Sequence, residues 1–282
     1  ISKKTANALK QKDASTIKEM ALAQADAGMD MIDINLGPAR KDGPELMEWV
    51  VKTVQDVVDL PLSLDTTNID AIEAGLKVHR GKALINSISA RPERIEALMP
   101  LAKRYDAGFI GLMLGTDGIP RDANERGFLA AQIMAEAANC GIPEEDIWLD
   151  PIVLPINSQQ IQVQGCTEFV MMLTELAPNS KSTCGLSNVS NGCPAHLRGI
   201  LNRTYLVMIK RYGMYSAIVD AFDAELREIA SGNRPDIESL IFRVMDGESI
   251  DMSALSREEA DYVKTAKILL GHTLYSDSWL EL

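Results

Sequence analysis

Apolar positions along this chain alternate between two periods. After Asp13-Ala14-Ser15, the residues Ile17, Met20, Ala21 and Ala25 recur at helical spacing and stop near Gly28. Met31-Ile32-Asp33-Ile34-Asn35 then alternates as a strand does, and Gly37-Pro38 closes it. The exchange repeats along the chain. Helical patterns are predicted over 45–58, 69–78, 92–105, 123–139 and 167–176, with another from Leu197. Strands are predicted over 62–65, 83–87, 108–113, 147–150, 183–186 and 216–220. Seven strand-plus-helix units result, which implies parallel strands joined by crossover helices.

The expected fold class is α/β, a TIM (β/α)8 barrel forming one domain over residues 1–282. A doubly wound sheet is disfavoured because no Gly-x-Gly-x-x-Gly turn follows an early strand. Ile1 is not a start methionine and the chain opens into helix-forming sequence, so the first strand is expected to lie ahead of it. Residues 232–261 break the rhythm near the C-terminus. They read as an inserted helix and acidic loop in the eighth unit, either a surface elaboration or a docking surface. Helix then resumes behind a capping-box pattern, Ser256-x-x-Glu259.

Length and composition suit a globular protein: 282 residues, 46% hydrophobic and 24% charged. The net charge of −12 argues against a nucleic-acid partner, and no apolar run approaches the roughly 20 residues of a membrane helix. Cys140, Cys166, Cys184 and Cys193 lack metal or framework spacing and read as reduced thiols in the cytoplasm.

Candidate chemistry collects where predicted strands stop. Asp65, Asn86 and Asp150 each follow a short apolar run, and in a parallel barrel such ends converge on one mouth. Ionised carboxylates only accept hydrogen bonds, whereas an amide both donates and accepts. Together they suit a flat, nitrogen-rich ring. The competing assignment for each residue alone is helix capping. A further turn, Gly185-Leu186-Ser187-Asn188-Val189-Ser190, places Asn188 beside a glycine that permits a close approach or an unusual dihedral. Other chemistry is poorly supported. The three histidines form no metal motif, with His79 read as a solvated residue at a helix end. No Gly-x-Ser-x-Gly elbow occurs, Cys184 reads as core, and Phe169-Val170-Met171-Met172-Leu173 as core filling. No tightly bound metal is expected.

These motifs resemble the pterin-binding barrel family, and within it the methyltetrahydrofolate:corrinoid protein methyltransferases. The resemblance rests on Asp33-Ile34-Asn35-Leu36-Gly37-Pro38, Leu64-Asp65-Thr66-Thr67-Asn68, Ile85-Asn86-Ser87, Leu149-Asp150-Pro151, the Gly185–Ser190 turn and Arg198-Gly199-Ile200-Leu201-Asn202-Arg203-Thr204. It implies that Asp65, Asn86, Asp150, Gly185, Ser187 and Asn188 bind the pterin of tetrahydrofolate or 5-methyltetrahydrofolate. It also implies that Asn188 approaches N5 as the catalytic residue. Asn35, Met113, Asn191 and Arg198 join them as candidate substrate or corrinoid contacts.

A dihydropteroate synthase would carry Arg-Lys where Asn188-Val189 stands, and no Asp-x-His-x-x-Gly cobalamin motif is present. The resemblance therefore implies cobalamin carried by a separate corrinoid protein, and a homodimer. The expected reaction moves methyl from the corrinoid to tetrahydrofolate in methyl-donor demethylation. The alternatives are transfer from methyltetrahydrofolate to a corrinoid iron-sulfur protein in acetyl-CoA synthesis, a dihydropteroate synthase-like enzyme, or a non-catalytic folate-binding subunit.

Overall fold

A computed structural model describes residues 3–37 and 41–281; Pro38 of the predicted turn lies outside them. The chain divides into two compact units, residues 1–118 with 129–150, and residues 119–128 with 151–282.

The first unit holds strands β1 (Ile32–Asn35), β2 (Leu62–Asp65), β3 (Leu84–Ser89), β4 (Gly108–Leu112) and β5 (Ile147–Asp150). They pair parallel in chain order. A doubly wound sheet reverses direction at a switch point, whereas this winding never does, so it belongs to the β/α barrel class the sequence predicts. Helices α1 (Lys3–Gln11) and α2 (Ala14–Asp26) precede the strands, and Asp13 caps α2 by accepting from the Thr16 amide. Helices α3 (Gly43–Gln55), α4 (Ile69–Val78) and α5 (Pro92–Arg104) form the crossovers, and α6 (Ala123–Asn139) runs from the second unit into the first. The predicted helices agree within a few residues. Leu62, Leu64, Ile85 and Phe109 supply the buried strand faces. Packing beneath them is close: a Cβ on Gly75 of α4 would lie 2.8 Å from Met47.

His79 departs from expectation. It ends α4 half-buried, with Nε2 accepting from the Leu62 amide at 3.2 Å and Nδ1 donating to the Gly81 carbonyl at 3.2 Å. This pairing requires a neutral ring, and it ties the start of β2 to the end of α4.

The second unit contains α7 (Ile156–Leu176), β6 (Lys181–Ser182), α8 (Ala195–Arg211), α9 (Ala224–Ala230), α10 (Pro235–Met245) and α11 (Arg257–Leu269). Helix α7 begins well before the predicted 167 because the polar run Asn157 to Gln164 hides its periodicity; its backbone kinks at Gln159. Phe169, Val170 and Leu173 are buried, but Met171 and Met172 lie on the exposed side. In place of the strands predicted over 183–186 and 216–220 there is the two-residue β6, just ahead of the first, and one parallel bridge, Gly185 to Ile218. Pairing stops because the chain turns at Gly185 into a 3-10 helix, Leu186–Ser190.

The predicted insertion is more than a surface elaboration. Ile237 and Ile241 of α10 are fully buried in the same core as Tyr205, Met208, Tyr262 and Val263. Arg203 donates to Asp223, and Arg234 to Glu258, so charge as well as apolar burial holds this region. The Ser256–Glu259 capping box forms as predicted. Among the described residues no helix is long and apolar enough to cross a membrane.

Replacing His79 by Ala should cost about 1–3 kcal/mol in denaturant unfolding, because the Leu62 amide loses its acceptor. Burial lowers the His79 pKa from its ordinary 6.5. Its contribution is therefore complete above that value and lost as pH falls through the lower folded value. The gap between wild type and His79→Ala should narrow below pH 6.5; a gap independent of pH would reject this role.

Candidate active site

The site begins with strand alternation. On β1, Ile32 and Ile34 are buried, so Asp33 and Asn35 share the opposite face. Parallel register sets Asp33 beside Ser63, Asn35 beside Asp65, and Asp65 beside Asn86. Three neighbouring strands thus bring five polar side chains to their C-terminal ends.

Hydrogen bonds fix each of them. Ser63 Oγ donates to Asp33 Oδ1 at 2.6 Å, and Asn86 Nδ2 donates to the same oxygen at 3.1 Å. Asn35 Nδ2 donates to Asp65 Oδ2, while Asn35 Oδ1 accepts from the Gly37 amide at 2.7 Å. Gly37 has φ +74°, so glycine suits the turn that holds Asn35 in place. The β3–β4 register shifts between Ile85 and Ile88, which takes Asn86 out of the regular ladder. Helix capping falls to Asn68, whose side chain accepts from the Ala71 amide, and this leaves Asp65 to the rim.

The two carboxylates are the electrostatic centre. Asp33 and Asp65 face each other from neighbouring strands and their titrations are linked, since two adjacent negative charges repel and one shared proton relieves them. Burial raises Asp33 despite the opposing hydrogen bonds from Ser63 and Asn86. Burial, then the Asp33 charge, pushes Asp65 up to about 7. The pair therefore changes protonation near neutral pH.

Asp150, at the end of β5, pairs in register with Leu112, and its carbonyl accepts from the Met113 amide at 3.0 Å. The Met113 side chain is fully buried, so its visible contribution is this main-chain tie. The 3-10 turn lies in the second unit. There Leu186 and Val189 are buried while Ser187 and Asn188 are exposed. Gly185 has φ −76° and ψ 90°, an ordinary extended backbone, so close approach is its reason. A Cβ there would lie 3.0 Å from Asn188 Nδ2 but 3.9 Å from Oδ1. The amide nitrogen lies against Gly185 and the carbonyl oxygen is turned away, available as an acceptor. Arg198 Nε donates to Ser190 Oγ at 3.2 Å, and Ser190 Oγ donates to the Ser187 carbonyl at 3.2 Å, bracing the turn from α8. Asn191 is exposed, with its amide donating to the Asn188 carbonyl at 3.1 Å.

Asp33 and Ser63 were not among the sequence candidates. The available signal was Asp33 standing two residues before Asn35 on a strand whose other face is isoleucine.

The pterin-binding enzyme family matches residues 2–220. This chain belongs to that family. The pterin-binding chain is 27% identical over 215 residues to the methylcorrinoid:tetrahydrofolate methyltransferase of Eubacterium limosum, covering 76% of this chain and 79% of the relative. It is also 27% identical over 213 residues to the methionine synthases of Mycobacterium tuberculosis and Mycobacterium leprae. Those matches cover 72% of this chain but 18% of the synthases.

Two outcomes follow for this pterin-binding enzyme. A raised carboxylate pKa favours the ligand-free fold fully below 3.8 and loses that contribution as pH rises through about 7. Asp65→Asn should therefore melt above wild type at pH 8, by about 1–2 kcal/mol after solvent screening, with the difference vanishing near pH 4. A pH-independent difference would reject the shared proton. Gly185→Ala should leave the melting temperature within about 2 °C of wild type, because the turn needs no special φ and only a side-chain end is displaced. It should nevertheless lower turnover by displacing Asn188; unchanged turnover would show that the close approach is dispensable.

Proposed function

We propose that this enzyme moves a methyl group between a corrinoid carried on a partner protein and N5 of tetrahydrofolate, as one barrel domain working in a cytoplasmic homodimer. The observation that carries the reading is the Gly185–Asn188 turn, which offers an amide carbonyl where a condensing synthase would need cations. The rim of carboxylates and amides at β1–β3 and β5 supports it, as does the likeness to a methylcorrinoid:tetrahydrofolate methyltransferase. We favour transfer toward tetrahydrofolate, as that relative's name describes.

In this reading Asp150, Asn86 and Asp65 hold the edge of the pterin. One N–H of Asn86 is engaged by Asp33, which leaves its Oδ1 as acceptor and a second N–H as donor. Asp65 and Asp150 accept from ring N–H groups. Asn188 Oδ1 accepts from N5–H and aims the nitrogen lone pair at the incoming carbon. The corrinoid supplies an electrophilic methyl group on cobalt. N5 attacks that carbon, the electron pair of the broken bond remains with cobalt, and N5 releases its proton to water. The exposed Ser187 and Asn188 side chains leave the turn open to a partner of that size.

An anaerobic assay of tetrahydrofolate with methylcobalamin, following loss of the methyl–cobalt absorbance, tests this. Wild type should demethylate the cofactor only when tetrahydrofolate is present. Asn188→Ala should lower the rate about 100-fold while changing folate affinity less than about threefold. Equal losses in rate and affinity would make Asn188 a binding residue, and folate binding with no transfer from either free or protein-borne methylcorrinoid would point to a non-catalytic folate subunit.

A further inference from the structure

Several arginines on the surface of this acidic chain face carboxylates. Arg104 pairs with Glu73, Arg121 with Glu125, Arg211 with Asp246 and Arg243 with Glu248. Two half-buried arginines at the start of α5 do not. Arg91 Nε donates to the Gly115 carbonyl at 3.2 Å, in the loop after β4. Arg94 donates from its two terminal nitrogens to the Thr67 carbonyl at 2.8 Å and to the Ser87 carbonyl at 3.1 Å. Among the described residues neither forms an ion pair.

Their anchors define a place. Thr67 lies two residues beyond Asp65, Ser87 directly follows Asn86, and Gly115 follows the end of β4. Both guanidinium groups are thus fastened to the rim where the polar ends of β2 and β3 emerge. Carbonyl oxygens orient a guanidinium without neutralising it. Of the five N–H donors on each, Arg91 commits one and Arg94 two, leaving enough on either to grip a carboxylate. Burial lowers the Arg94 pKa, and the nearby Glu93 charge only partly offsets it.

We propose that Arg91 and Arg94 form an anion subsite for the glutamate-tail carboxylates of the folate whose pterin lies at the strand ends. This rests on the pterin-binding reading. The tail carries the fixed negative charge of a reduced folate, whereas its pterin is neutral, so the acidic pair and the arginine pair would divide recognition between ring and tail.

The test compares equilibrium binding of tetrahydrofolate with that of a tail-less tetrahydropterin, for the full chain and for Arg91→Gln, Arg94→Gln and the double variant. The double variant should bind tetrahydrofolate about 10- to 30-fold more weakly, with the tail-less ligand within about twofold of wild type. Added salt should weaken the tail-bearing ligand alone. Equal losses for both ligands would make the arginines braces of the β2, β3 and β4 loops and overturn the proposal. Unchanged binding of both would overturn it too, while leaving the pterin site standing. Wild-type protein that binds neither ligand would instead overturn the pterin reading and the subsite together. Arg91→Gln spares the two carbonyls that Arg94 braces, so a folding defect in Arg94→Gln would not obscure the comparison.

Discussion

Two neighbouring half-buried carboxylates cannot both stay ionised without strong repulsion, and the rim is organised around that constraint. Register places Asp33 and Asp65 on neighbouring strands, and Ser63, Asn35 and Asn86 supply the donors that make the pair tolerable. Moving any of the three strands by one residue would send these side chains to the opposite face. The apolar faces beneath, with Leu62, Leu64 and Ile85 fully buried, prevent that slip. Core packing thereby fixes the protonation chemistry at the strand ends. Adjacent buried carboxylates remain costly to ionise, and a ligand that donates further hydrogen bonds to them relieves the cost.

The turn at Gly185 solves a different problem. It holds the Asn188 side chain exposed at the surface. The missing Cβ lets its amide nitrogen rest against the backbone, while Leu186 and Val189 anchor the turn from below. Arg198, one of the sequence candidates, braces this turn through Ser190. Its role in the structure is to hold the turn in position.

Much of this was legible in the residues. The alternation of periods marked five of the strands and most helices, because each strand there buries apolar side chains at strand spacing. Asp65 and Asp150 could be placed at strand ends from their spacing alone, whereas Asn86 falls inside β3, which continues past the predicted 87 to Ser89. Legibility failed where pairing depended on distant partners. Residues 183–186 look like a strand, yet one bridge forms before the backbone turns. The start of α7 was hidden by a polar run. Asp33 was passed over because its meaning lies in register with Ser63 and Asp65, which a linear reading does not contain. His79 resembled a solvated helix end, and only the approach of β2 turned it into an acceptor. The insertion's burial came from α10 facing α8 and α11, again a relation between distant segments.

The most direct test of this account is calorimetric titration of tetrahydrofolate at pH 7 in two buffers of different ionisation enthalpy, which counts the protons exchanged on binding. If pterin N–H groups donate to Asp65, its ionised form is favoured, a proton leaves the Asp33–Asp65 pair, and affinity rises between pH 5 and 8. Binding without proton release, or affinity that falls over that range, would contradict the claim that these two carboxylates read the ligand.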